Sequence, residues 1–107
     1  MSAPNSAGYY VVTDPQQEKD GYYRVSKTAN MSNTLIQLNC ARANKDFRIV
    51  KFYPVSDLKK AEEFIKSALK KKYIPNSTEW VKIDDQAGLS KVLSTLETLI
   101  DIVNNAD

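Results

Sequence analysis

The 107-residue sequence has no histidine, a single cysteine and only three glycines. Without imidazole, Ser-His and Cys-His catalysis and imidazole-bound zinc are excluded within one chain. Any metal would sit on carboxylate and water, which restricts it to Mg2+, Mn2+ or Ca2+. Any general base would be Tyr, Lys, Asp or Glu. Cys40 alone excludes an internal disulfide framework and fits a reducing compartment. It reads as a small helix residue rather than a nucleophile, because a nucleophilic thiol usually works beside a histidine. No run approaches the ~18 apolar residues of a membrane span. The N-terminus has no basic-then-apolar signal pattern.

The composition is that of a soluble globular domain, 42% hydrophobic and 26% charged. The chain is long enough for one small core and too short for two. Net charge is only +2, but it is segregated. Residues 1–41 balance three basic against three acidic side chains. Residues 42–72 carry ten basic (Arg42, Lys45, Arg48, Lys51, Lys59, Lys60, Lys66, Lys70, Lys71 and Lys72) against four acidic. Residues 73–107 carry two basic against six acidic. A +6 middle and a −4 tail are the footprint of a surface that meets phosphates, or simply of a lysine-coated solvated helix.

Residues 1–7, "MSAPNSA", read as a flexible leader, and residues 8–107 as one domain. Tyr9–Thr13 and Gly21–Val25 are β-prone and predict two antiparallel strands joined by a polar connection over 14–20. Met31, Leu35 and Leu38 predict a helix from Asn30 or Ser32 to about Arg42. "FRIVKFYPV", residues 47–55, is the most strand-like stretch and ends at Pro54. Ser56 would cap a helix through Lys71 with an apolar stripe of Leu58, Ala61, Ile65, Ala68 and Leu69. Residues 76–84 suggest a turn and a short strand. Leu89, Val92, Leu93, Leu96, Leu99, Ile100 and Val103 recur at helical steps and predict a last helix over about 86–103. The order ββαβα(β)α implies an α+β fold, a three-stranded, mainly antiparallel sheet flanked by about three helices.

Within that order, several short stretches resemble the GIY-YIG nuclease superfamily, in particular its compact phage and large-DNA-virus branch. Gly8-Tyr9-Tyr10 resembles the first motif, and Arg24-Val25-Ser26-Lys27-Thr28 the second, which that branch often writes as a basic residue, Ile, Gly, Lys or Arg, and Thr. Asn30 and Leu35 match the stretch that follows, "DLKKAEEFIKSALKK" resembles the glutamate-bearing helix, and Glu79-Trp80-Val81 the closing motif. The resemblance spans residues 8–84. It implies that a first-motif tyrosine deprotonates or positions the attacking water. An arginine on the first helix would stabilise the phosphate, and a glutamate on the next helix would hold one divalent cation. Residue by residue, the tyrosine role falls on Tyr10 or Tyr9 and the metal role on Glu62. Lys27 matches the basic residue of the second motif.

The sequence departs from this pattern at the positions that carry the chemistry. Ser26 replaces the second-motif glycine, restricting the backbone if that position needs unusual freedom. Thr34 stands at the arginine position and Lys66 where a histidine often follows the isoleucine of the glutamate helix. Losing a charge-stabilising donor typically costs ~10²–10³ in rate. On a helical wheel Glu62 lies at the margin of the apolar stripe, with Lys66 one turn on in the favourable order, so the lysine would compete with a cation for that carboxylate.

The expectation is a degenerate, nuclease-derived domain that binds nucleic acid, DNA without sequence preference, through Lys27, Arg42, Lys45, Lys70, Lys71 and Lys72. No cofactor is expected, apart from Mg2+ or Mn2+ on Glu62 if cleavage remains. One rival is a viral structural or protein-interaction module, assembling with viral proteins or with itself through the weakly charged outer face of the last helix. Another is a slow Mg2+-dependent endonuclease using Tyr10, Glu62 and a relocated arginine such as Arg42 or Arg48. The setting would be intracellular, in host cytoplasm or a viral factory, or a virion, with no membrane partner. Two local readings stay open. The paired tyrosines are either site residues or ordinary cross-strand packing. Trp80 is either a core anchor or a base-stacking platform.

Overall fold

A computed structural model describes residues 6–40 and 47–105. The elements are β1 (Gly8–Thr13), α1 (Pro15–Lys19), β2 (Tyr22–Thr28), α2 (Met31–Cys40), β3 (Arg48–Pro54), α3 (Leu58–Ala68), β4 (Trp80–Lys82) and α4 (Gln86–Asn105). The four strands form one antiparallel sheet in the order β3-β1-β2-β4, so the α+β class holds, with a fourth helix, α1, inserted between the first two strands of the expected order. The sheet is one strand wider than the expected three, because Trp80–Lys82 pairs with Tyr22–Arg24 rather than running free.

β1 is central and buried along its whole length. Its alternation splits the core into two clusters. Tyr9 and Val11, with Tyr23, Val25, Tyr53 and Val81 from neighbouring strands, pack under Ala61, Ile65 and Leu69 from α3 and its cap, and Leu89, Val92, Leu96, Ile100 and Val103 of α4. Tyr10 and Val12 point the other way, joining Met31 and Phe47 with Leu35, Leu38, Phe52 and Trp80. Trp80 is thus a half-buried packing residue, its ring 6.3 Å from that of Phe47. At roughly 25 cal/mol per Å² of apolar surface, burial on both faces supplies the main drive to fold.

Several local expectations are corrected. The 14–20 connection contains the short helix α1, which starts at Pro15 and is capped by Asp14, whose carboxylate accepts from the Gln17 amide at 2.8 Å. Asp57, not Ser56, caps α3 by accepting from the Lys60 amide. Ala68 is exposed, and Phe64 packs against the core in its stead. Asn30 caps α2 through the Asn33 amide. Ser6 and Ala7, expected in the leader, accept backbone bonds from Met31 and Val55. No helix among the described residues is long and apolar enough to cross a membrane.

Gly8 is required by close approach. A Cβ there would lie 2.2 Å from the Tyr53 carbonyl oxygen and 2.6 Å from the Phe52 ring. The glycine therefore lets the end of β3 pair closely with the start of β1. Ser26, by contrast, sits inside β2 opposite Tyr10, and Asn76 is the only non-glycine with positive φ among the described residues. The backbone at Ser26 is ordinary strand, which a serine adopts without strain.

Candidate nucleic-acid interface

Strand alternation sends the two first-motif tyrosines to opposite faces of the sheet. Tyr9 lies opposite Lys27 on the face covered by α3, where Glu62 is. Tyr10 lies opposite Ser26 on the α2 face. Of the two, Tyr9 is the one that shares a face with the carboxylate read as a metal ligand.

On the α3 face the Lys27 ammonium donates to Glu62 Oε1 at 3.0 Å, and the Lys66 ammonium lies 3.2 Å from Glu62 Oε2. The Glu62–Lys66 pair expected from helical spacing is present, and a second lysine from β2 joins it. The bond from Lys27 is the main reason the Glu62 carboxyl is held below its usual range; burial opposes it, and Lys66 adds to it. Burial, then the Glu62 charge, raises the Tyr9 phenol well above its ordinary value. Burial, then Glu62 and Glu79, pushes Tyr73 up to about 12. Both hydroxyls therefore stay protonated at neutral pH.

On the α2 face, Arg24 Nε donates to the Tyr10 hydroxyl at 3.1 Å, and its terminal nitrogen donates to Glu79 Oε2 at 3.1 Å. Ser26 donates to the same carboxylate oxygen at 2.7 Å. Glu79 therefore ties the second motif to the closing one, Arg24 links it on to Tyr10, and its charge is also felt by Tyr9 and Tyr73 on the other face. Thr34, where the resemblance would place an arginine, shares a 2.5 Å hydroxyl–hydroxyl hydrogen bond with Thr28. Thr28 in turn accepts from the Asn30 amide.

The donor set is a poor match to a divalent cation. Mg2+ wants a near-octahedral shell of oxygens and one or two free carboxylates. Here the single candidate, Glu62, already bonds an ammonium at each oxygen. No group of three or more Asp, Glu, His or Cys is placed to hold a metal among the described residues.

Of the expected phosphate contacts, Lys27 is engaged with Glu62, and Lys70, Lys71 and Lys72 are exposed just beyond α3. Arg42 and Lys45 lie outside the described residues. Sequence reasoning missed Arg24 as the partner of Tyr10, and missed Tyr73. Arg24 shares the alternation of Ser26 along β2, a signal for its face. Its bond to Glu79, 55 residues away in the chain, left no local trace.

No curated protein and no solved structure matches the chain. The sequence does match the T5orf172 domain over residues 7–105, nearly its whole length, taking in every strand and helix described above. With the tyrosine strands, the Glu62 helix and the Glu79–Trp80 segment all inside the match, the chain belongs to the T5orf172 domain family, a nuclease-associated domain.

Proposed function

We propose that this is a GIY-YIG-derived domain, residues 8–107, that binds nucleic acid and has lost efficient cleavage. The observation that carries this reading is Thr34. The position where the resemblance calls for a transition-state arginine holds a neutral hydroxyl bonded to Thr28. A phosphorane needs fixed positive charge, and an arginine comparable to an arginine finger is worth ~10³–10⁵ in rate. Tyr10 and Tyr9 are then relics whose present work is packing and hydrogen bonding. Lys27, Arg42, Lys45, Lys70, Lys71 and Lys72 supply phosphate contacts, with DNA of any sequence as the ligand and a phage or large DNA virus as the setting.

The test is a nicking assay on plasmid and branched DNA with Mg2+ or Mn2+. The expected result is no cleavage. Metal-dependent nicking that vanishes in Glu62→Ala and in Tyr9→Phe or Tyr10→Phe would establish the slow endonuclease instead. Thr34→Arg combined with Ser26→Gly is the restoration experiment, and even weak nicking by that variant would support descent from a working nuclease.

A second reading, a virion-assembly or protein-interaction module, is favoured by the outer face of α4. Lys91, Ser94, Thr95, Thr98 and Leu99 line a shallow cavity of about 290 Å³ there, and Ile102 beyond it is exposed. Self-association or capture of a viral protein that fails on Ile102→Glu would favour this module over the nucleic-acid reading.

A further inference from the structure

Lys27 and Lys66 reach Glu62 from independent elements, the end of β2 and the last turn of α3. Each takes one carboxylate oxygen, at 3.0 and 3.2 Å. An ammonium has three N–H donors, so one bond to Glu62 leaves two on each lysine for an outside acceptor. Both lysines are substantially exposed, with 44% and 42% of their side-chain surface open, so those donors face solvent. The three charges sum to +1. The carboxylate orients the ammonium groups and the surplus charge favours an anion.

We propose that Lys27 and Lys66, oriented by Glu62, stand in for a divalent cation and hold a nucleic-acid phosphate without metal. The inference rests on the nucleic-acid reading above and adds to it the lysine on α3 and the independence from metal. A divalent ion approaching Glu62 would have to displace two ammonium groups or settle beside them against like-charge repulsion. A phosphate meets the reverse situation, attraction to both ammonium groups. Glu62 is a positioning residue in this arrangement. It touches the lysines and not the ligand.

Two measurements on the full chain test this. The first is Mn2+ uptake, followed by paramagnetic broadening in the absence of nucleic acid. The expected result is no uptake at Glu62, whereas uptake by the native chain that Glu62→Gln removes would overturn the proposal. The second is duplex binding in EDTA and in Mg2+ at matched ionic strength, for the native chain, Lys27→Ala with Lys66→Ala, and the charge-matched control Lys59→Ala with Lys60→Ala. Equal native binding in EDTA and Mg2+ is expected, with a larger loss in the Lys27/Lys66 variant than in the control. Lys27→Arg with Lys66→Arg should keep most of the affinity. Equal losses in the two alanine variants would reduce the effect to net charge and overturn the proposal, as would binding that requires Mg2+. No duplex binding under any condition would bring down the functional reading of the preceding subsection, and Mn2+ uptake alone would then decide the exchange of metal for lysine.

Discussion

The Ser26 hydroxyl donates a 2.7 Å hydrogen bond to the Glu79 carboxylate, joining β2 to the segment that leads into β4. Immediately beside it, the Val25 amide donates to the Glu79 carbonyl at 2.7 Å. The serine at the position where the resemblance places a glycine is thus a structural contact. Ser26→Gly removes a charge-assisted bond and adds a flexible residue to a strand, and should destabilise the fold by about 1–2 kcal/mol in urea denaturation. The Val25 amide should also exchange faster with solvent. Unchanged stability would show that water replaces the serine at no cost.

Duplex binding should be weak, insensitive to sequence and strongly dependent on salt. Each neutralised phosphate contributes ~0.9 to the slope of log K against log salt, so three to five contacts give a slope of roughly −3 to −5. Changing Lys70, Lys71 and Lys72 together to Ala should flatten the slope by up to about 3. A slope that does not move would place the contacts elsewhere on the molecule.

α4 is part of the core. Leu96 has no exposed surface, and Leu89, Val92, Ile100 and Val103 lie in the same cluster. Tyr53 donates its hydroxyl to the Leu93 carbonyl at 3.0 Å, and Asn104 donates to the Pro54 carbonyl at 2.9 Å, so the helix clasps β3 at two points. Leu96→Ala should cost about 2–5 kcal/mol, a large share of the ~5–15 kcal/mol available to a small domain. A chain lacking residues 86–107 should be unfolded by circular dichroism. If it stays folded and merely drops from dimer to monomer, the helix is an interface instead.

Stability should decline in alkali. Burial, then the Glu97 charge, pushes the Tyr53 phenol up to about 12, and Tyr73 reaches about 12 through burial, Glu62 and Glu79. In the unfolded chain phenols ionise near ~10. Above that pH the unfolded state binds fewer protons than the folded one, so stability falls as pH rises. The contribution is intact below about 10 and is lost on the way to about 12. Urea midpoints measured across this range should drop, and Tyr73→Phe should lessen the drop. A flat profile would mean the folded phenols titrate normally.

What could be read in the sequence was whatever declares itself by local periodicity. Leu89 to Val103 repeats over a long helix, and "FRIVKFYPV" can be little but a strand. α1 was missed because a five-residue polar helix has no apolar stripe, although Asp14-Pro15 was a usable start signal. β4 was only half legible, since three residues become a strand through their partner Tyr22–Arg24. The candidate site was the least legible part. Alternation alone separates Tyr9 from Tyr10, but the meeting of Lys27 with Glu62, or Arg24 with Glu79, depends on how distant elements dock. Residue types indicated the chemistry; only the fold indicated the pairing.

β1 lies between β2 and β3, and all six of its residues are buried. During synthesis this uncharged, β-prone segment emerges well before Arg48–Pro54, the strand that must cover its second edge. Until then it is an open hydrogen-bonding edge of the kind that seeds aggregation. β2 follows closely and brings Arg24 and Lys27, one on each face, as electrostatic gatekeepers beside the exposed tyrosines. The same lysine that meets Glu62 in the finished domain would first keep nascent chains apart.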